Sequence, residues 1–110
     1  MNNKFLLLSI LAVLNISYNI AFSAEITLKT EQEIKKLDYP TAIIHLKNQL
    51  QAEPNNPQFR FLLGSVYLKA GKIEGSVKEL GRAHKLAPND VKILFRYIDV
   101  LQLSAKHREI

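Results

Sequence analysis

The chain has 110 residues, the size of one domain, and its 47% hydrophobic and 23% charged residues place it among folded proteins. It contains no cysteine, which excludes disulfides, thiol nucleophiles, cysteine-based zinc sites and a lipid anchor attached to cysteine. The net charge is +5 at pH 7, but lysines and arginines are spread along the chain with acidic residues between them. This pattern favours solvated helix surfaces over a nucleic-acid-binding surface, so no nucleic acid is predicted as a partner.

The first predicted element is a secretory signal peptide covering residues 1–23. Lys4 precedes an apolar stretch at residues 5–16, and small residues follow at Ala21 and Ser23. Cleavage after Ser23 places both small residues where a signal peptidase needs them, and cleavage one residue later fits less well. An uncleaved membrane anchor is the alternative, although the apolar stretch is short for a span of about 20 residues. The segment predicts export from a bacterial cytoplasm, to the periplasm or beyond the cell.

Residues 24–56 are predicted to form a first, divergent helical hairpin. In its second half, Ala42 and Leu46 have helical spacing and Pro54 follows the helix end. Its first half, residues 25–36, is largely polar, which is typical of an outer helix at the end of a repeat array.

Residues 57–90 repeat this pattern, since Pro88 follows Pro54 by 34 positions. A period of 34 residues indicates a repeated helix–turn–helix unit. In this unit a large apolar residue precedes a glycine, an aromatic residue follows, a second glycine ends the helix, and small and large apolar residues mark the next helix. The structural positions are Leu63, Gly64, Tyr67, Gly71, Ser76, Leu80, Ala83 and Pro88.

Small residues in this second unit are predicted to let its two helices approach closely. Gly64, Ser76 and Ala83 are expected to lie where the helices touch. They make room there for the larger side chains of Tyr67 and Leu80. Gly71 supplies the left-handed backbone conformation that ends a helix without steric cost.

Residues 91–110 are predicted to form the first helix of an incomplete third repeat. Asn89 or Asp90 can cap its N-terminus. One narrow stripe of the helix is polar, formed by Lys92, Arg96, Asp99 and Gln102. The rest is apolar, formed by Val91, Ile93, Leu94, Phe95, Tyr97, Ile98, Val100, Leu101 and Leu103. A helix with solvent on one side needs one apolar face, so this helix is predicted to have apolar surface left for a further neighbour.

Residues 42–71 closely resemble the tetratricopeptide repeat family. The segments AIIHLKNQLQAEPNN and RFLLGSVYLKAG are similar, more narrowly, to bacterial tetratricopeptide repeat proteins of exopolysaccharide and exosortase (PEP-CTERM) systems. The resemblance implies an all-α fold, in which antiparallel helical hairpins stack as a short solenoid of about two and a half repeats. It also implies binding of a protein or peptide, with no catalytic residue, no metal and no cofactor.

In this family the first helices of successive repeats line a concave groove that accepts a peptide or a partner helix. The matching positions are Gln58, Phe61, Ser65, Leu68, Lys69, Lys92, Phe95 and Asp99, with Gln102 and Leu103 further along. An apolar patch with basic edges suits an amphipathic helix or an acidic C-terminal peptide. The carboxylate clamp of some members is not reproduced, because Phe61 and Ser65 stand at its lysine and asparagine positions.

No constellation for catalysis or metal binding accompanies this groove. His45, His84 and His107 lack the short helical spacing that places two imidazoles on one metal ion. The glycines form no phosphate-binding loop, because no Gly-Lys-Ser/Thr sequence is present. The sequence therefore predicts a protein that is not an enzyme.

Three functional hypotheses follow from these features. The first is an exported interaction module that serves as a scaffold or accessory factor in cell-envelope assembly or secretion, with polysaccharide export as the suggested pathway. The second is self-association, in which the apolar surface of helix 91–103 pairs with a second copy. The third is a truncated remnant of a longer tetratricopeptide repeat protein.

Overall fold

The computed structural model describes residues 3–36 and 38–109, and all of its regular secondary structure is helical. The five helices are α1 (Asn3–Lys35), α2 (Tyr39–Ala52), α3 (Pro57–Lys69), α4 (Ile73–Leu86) and α5 (Val91–Arg108). The predicted segments 1–23 and 91–110 include terminal residues outside this description. The side chain of Ser23, at the predicted cleavage site, also lies outside it.

The chain divides into two compact units, Met1–Gln32 and Glu33–Ile110. The first unit is helical, and its apolar side chains are largely exposed, among them Leu6, Leu7, Leu11 and Leu14. Within the described residues, no helix combines the length and the apolar character needed to cross a membrane. Helix α1 passes through the predicted boundary after residue 23 without a break, so processing at that position stays a prediction.

The second unit contains α2 to α5, and each of these helices packs against the next one along the chain. Polar side chains cap the N-termini of three of these helices. Asp38 Oδ1 accepts a hydrogen bond from Thr41 N at the start of α2. Asn56 and Asp90 each accept two backbone N–H groups at the starts of α3 and α5. Of the two predicted candidates for the last cap, the structure therefore selects Asp90.

Gly71 ends α3 in the left-handed conformation, with φ at 77°. The N–H of Gly71 donates to Leu68 O at 3.1 Å, and the N–H of Lys72 donates to Tyr67 O at 2.8 Å. These two bonds form a Schellman motif, which satisfies carbonyls that the helix end leaves free. The predicted role of Gly71 is confirmed, and the motif turns the chain sharply into α4.

The contact between α3 and α4 is built on Gly64. A Cβ atom at this position would lie 2.7 Å from the Cγ of Leu80. Ser76 Oγ donates a hydrogen bond of 2.6 Å to the carbonyl of Gly64, and both residues are buried. The glycine beneath the ring of Tyr67 is Gly75, where a Cβ would lie 3.1 Å from the ring. Gly64 thus makes the predicted room for Leu80, Ser76 bonds the opposite helix, and Gly75, which was not predicted at this contact, provides space for Tyr67.

The remaining predicted repeat positions form the interior of the second unit. Ala42, Leu46, Leu63, Leu80 and Ala83 are buried, whereas Pro54 and Pro88 lie exposed at the two corners. One cluster joins three helices: Phe61 of α3, Leu80 and Ala83 of α4, and Ile93 and Val100 of α5. This cluster fixes α5 against the preceding hairpin, which positions the surface described next.

Candidate peptide-binding groove

Helices α3 and α5, the first helices of consecutive repeats, lie side by side at equivalent positions. The repeat places the caps Asn56 and Asp90 at the same end of this pair. A side-chain hydrogen bond of 3.4 Å joins Gln58 Nε2 of α3 to Asp90 Oδ2. The predicted groove residues of the two helices therefore share one surface, which we call the groove surface.

Phe61 and Lys92 contact each other on the groove surface, near the starts of its two helices. The Nζ of Lys92 lies 4.8 Å from the centre of the Phe61 ring, within the range of a cation–π interaction. Phe61 is only 9% exposed because its ring also belongs to the core cluster. It therefore contributes little of the open apolar patch that the sequence predicts, and Lys92 covers part of what remains.

A shallow cleft of about 320 Å³ lies further along the groove surface. It is lined by Leu68 of α3 and by Arg96, Asp99, Gln102, Leu103 and Lys106 of α5. The structure brings together four residues that the sequence predicts in the groove: Leu68, Asp99, Gln102 and Leu103. Arg96 and Lys106 are additions to the predicted site residues. Their spacing from Asp99 and Gln102 along one helix face is the signal that could have identified them.

Other predicted groove residues lie on the same helices but do not line this cleft. Lys69 is exposed at the end of α3, and Ser65 is half-buried in its middle. Phe95 is 62% exposed, which makes it the most exposed large apolar side chain of α5. The groove surface thus offers an apolar floor at Leu68 and Leu103 within a largely cationic rim.

A cluster of charged side chains, which the sequence did not predict, links α3 to α4. Arg60 Nη1 lies 2.8 Å from Glu79 Oε2, and Arg82 Nη1 lies 3.1 Å from Glu79 Oε1. Arg60 also donates Nε and Nη2 to the carbonyl of Pro54, at 3.1 and 2.9 Å. Because Glu79 is buried and paired twice, this cluster holds the α2–α3 corner to α4 as a structural element.

Two of the three histidines have local partners. His45 Nδ1 lies 2.7 Å from Glu33 Oε1, a separation that is favourable when Nδ1 carries a proton. The ring of His84 packs 5.9 Å from the ring of Tyr97. Among the described residues, no group of three or more histidine, aspartate or glutamate side chains could hold a metal ion.

The chain's sequence finds no match among curated proteins. A structure of a mutant form of MamA superimposes with a TM-score of 0.64 and 23% sequence identity, covering 76% of this chain and 61% of that one. This likeness shows the fold, a short all-α solenoid of stacked hairpins, and the chain spans about three fifths of that protein's length. The family model for the tetratricopeptide repeat matches residues 34–94, more than half of the chain. The chain therefore belongs to the tetratricopeptide repeat family, whose repeats form protein–protein interaction modules.

Proposed function

We propose that the protein is an exported interaction module that binds an acidic, amphipathic segment of a partner protein on the groove surface. The observation that carries this proposal is the cleft between α3 and α5, where Leu68 and Leu103 are apolar and Arg96 and Lys106 are cationic. A peptide helix or a C-terminal tail can place apolar side chains on the floor and carboxylates at the rim. No enzymatic activity and no cofactor are assigned to this surface.

Charge favours an acidic ligand over a basic one. The groove surface bears four cations, Lys69, Lys92, Arg96 and Lys106, and Asp99 is the acidic residue that lines the cleft. Each cation is on the rim, where charge mainly affects the rate of association and the choice of partner. We therefore expect binding to weaken as salt is raised.

Export rests on the N-terminal segment, whose basic start, apolar stretch and small residues match a signal peptide. Together with the resemblance to repeat proteins of exopolysaccharide systems, it favours a scaffold or accessory role in cell-envelope assembly or secretion. Polysaccharide export is the pathway that this resemblance favours. The partner is then a protein met after the chain has crossed the membrane, and lipid attachment to the chain is not part of the proposal.

The groove assignment is tested by capture of partners from a cell-envelope extract with the purified chain. The double variant Arg96→Glu/Lys106→Glu reverses the rim charge and is expected to lose the captured protein. Lys47→Glu/Lys78→Glu changes the net charge equally, at exposed positions of α2 and α4, and is expected to retain it. Equal capture by wild type and both variants would reject the groove surface as the binding site.

A further inference from the structure

Helix α5 has an apolar face that no other described part of the second unit covers. Its inner side, with Ile93 and Val100, is fully buried against the preceding hairpin. A second row, which we call the outer stripe, consists of Val91, Leu94, Ile98, Leu101 and Ala105. Val91 is 58% exposed, and Ile98 and Leu101 are each 40% exposed. Three large side chains of the stripe thus meet solvent in one line.

We infer that two copies of the chain associate through the outer stripe, with their α5 helices antiparallel about a two-fold axis. The outer stripe shares no residue with the cleft of the groove surface, although Phe95, a predicted groove residue, lies at its edge. It gives one occupant, a second copy of this chain, to an apolar face that the described residues of the second unit leave exposed.

The outer stripe is self-complementary. Its residues recur at alternating steps of three and four, which is the spacing of a helix seam that packs knobs into holes. Read from the opposite end, the steps run four, three, four, three, so a reversed copy centred on Ile98 places its Leu101 within one residue of the level of Leu94. A two-fold interface requires this property, because each copy must use the same patch in both roles.

Charge at the two ends of α5 selects the antiparallel orientation. The last turn carries Lys106, His107 and Arg108, whereas the first turn holds a single cation, Lys92, next to the carboxylate of the cap residue Asp90. In a parallel pair, the basic last turns of the two copies would face each other, and their like charges would repel. Antiparallel helices separate the two basic turns, bring each towards the acidic cap of the other copy and oppose the two helix dipoles.

The size of the stripe sets the strength of the association. Each copy contributes one helix, with Phe95 at the edge adding a further exposed ring. Such an interface lies near or below the lower end of the ~1,200–2,000 Å² of specific interfaces. We therefore expect a dimer with a dissociation constant on the order of micromolar, which forms and dissociates with concentration.

Sedimentation of the full chain over a concentration series tests the association. Ile98→Lys/Leu101→Glu places two charges in the stripe and is expected to weaken dimerisation by at least about tenfold. Ile44→Lys is the matched control, since Ile44 is 58% exposed on α2 and lies outside the stripe. A chain that stays monomeric up to about 100 µM overturns the inference. So does association that persists unchanged in the stripe variant, which would then arise from other apolar surface such as α1.

Orientation is tested by cysteine crosslinking, which is clean because the natural chain has no cysteine. In an antiparallel pair centred on Ile98, the two copies of position 105 stand about 21 Å apart along the axis, whereas positions 91 and 105 of different copies are adjacent. A short thiol-reactive crosslinker is expected to join a mixture of Val91→Cys and Ala105→Cys chains and to leave each variant alone unlinked. Self-linking of Ala105→Cys, or no linking in the mixture, contradicts the antiparallel dimer. This readout does not depend on a variant that disrupts folding.

Discussion

Gly64 and Leu80 meet where α3 and α4 approach each other most closely. A Cβ atom at Gly64 would lie 2.7 Å from the Cγ of Leu80, and Leu80 is completely buried. The clashing atom is the branch point of the side chain, so a rotamer change of the leucine tip cannot relieve the overlap. The close approach of α3 and α4 at this point therefore requires a residue without a Cβ atom at position 64.

Gly64→Ala is expected to lower the free energy of unfolding by about 2 kcal/mol through overpacking. Urea denaturation followed by circular dichroism measures this loss. In the double variant Gly64→Ala/Leu80→Ala, the smaller side chain at position 80 removes the overlap with Cγ, while the backbone N of residue 80 stays 3.2 Å from the new Cβ. The two losses should therefore be non-additive by about 1 kcal/mol or more. Strict additivity would show that the two residues do not compete for space.

Gly71 tests a backbone effect separated from packing. A Cβ at this position meets no atom within 4 Å, but the backbone has φ at 77°. Gly71→Ala is expected to cost about 1 kcal/mol, because an alanine is strained in the left-handed region. Gly71→Asn should cost less, since asparagine tolerates that conformation better. If both variants are as stable as the natural chain, the Schellman turn is not a constraint on the fold.

The Glu79 cluster predicts a ranking of three truncations. Glu79→Ala leaves Arg60 partly buried without its carboxylate and is expected to cost about 3 kcal/mol. Arg60→Ala should cost somewhat less, because Arg82 still pairs with Glu79. Arg82→Ala should cost about 1 kcal/mol or less, because the Arg82 side chain is 47% exposed. Chemical denaturation of the three variants checks the order, and a larger loss at Arg82 than at Glu79 would contradict it.

Processing of the N-terminus is the prediction that concerns export. Intact-mass measurement of the chain recovered from the cell envelope or the medium is expected to show a first residue of Ala24. Leu8→Arg/Leu11→Arg interrupts the apolar stretch and should retain the unprocessed chain in the cytoplasm. Lys29→Arg, a conservative change beyond the predicted cleavage site, serves as the control. Recovery of the natural chain in the cytoplasm with residues 1–23 intact would defeat the export proposal.

Sequence reasoning predicts features that repeat along the chain better than features that depend on helix separation. Pro54, Gly71 and Leu80 were placed correctly, because their roles follow from a 34-residue period and local backbone chemistry. The pairing of Arg60 with Glu79 could not be read in this way. Long side chains reach partners whose distance is set by tertiary packing. For the same reason, the sequence did not identify Gly75 as the glycine beside the ring of Tyr67.

In the groove, too, some features follow from the repeat and others are set by tertiary packing. Leu68 and Asp99 follow from the family's helix positions, and the cleft brings them together. Phe61 is also a predicted groove position on α3, yet its ring is buried in the core because α5 packs against it. Helical periodicity identifies the face of a residue, but the depth of its side chain depends on which neighbour covers it.

The central claim, that the groove surface binds a partner protein, is tested most directly by photo-crosslinking in cells. A photoreactive phenylalanine analogue replaces Leu103 in the cleft, and a second chain carries it at Ile44 on α2. We expect a discrete adduct with another protein from position 103, its loss in the Arg96→Glu/Lys106→Glu background, and no such adduct from position 44. An adduct of twice the chain's own mass reports self-association and is distinguished by mass spectrometry. Position 44 capturing the same protein with equal yield, or position 103 capturing none, would contradict the account.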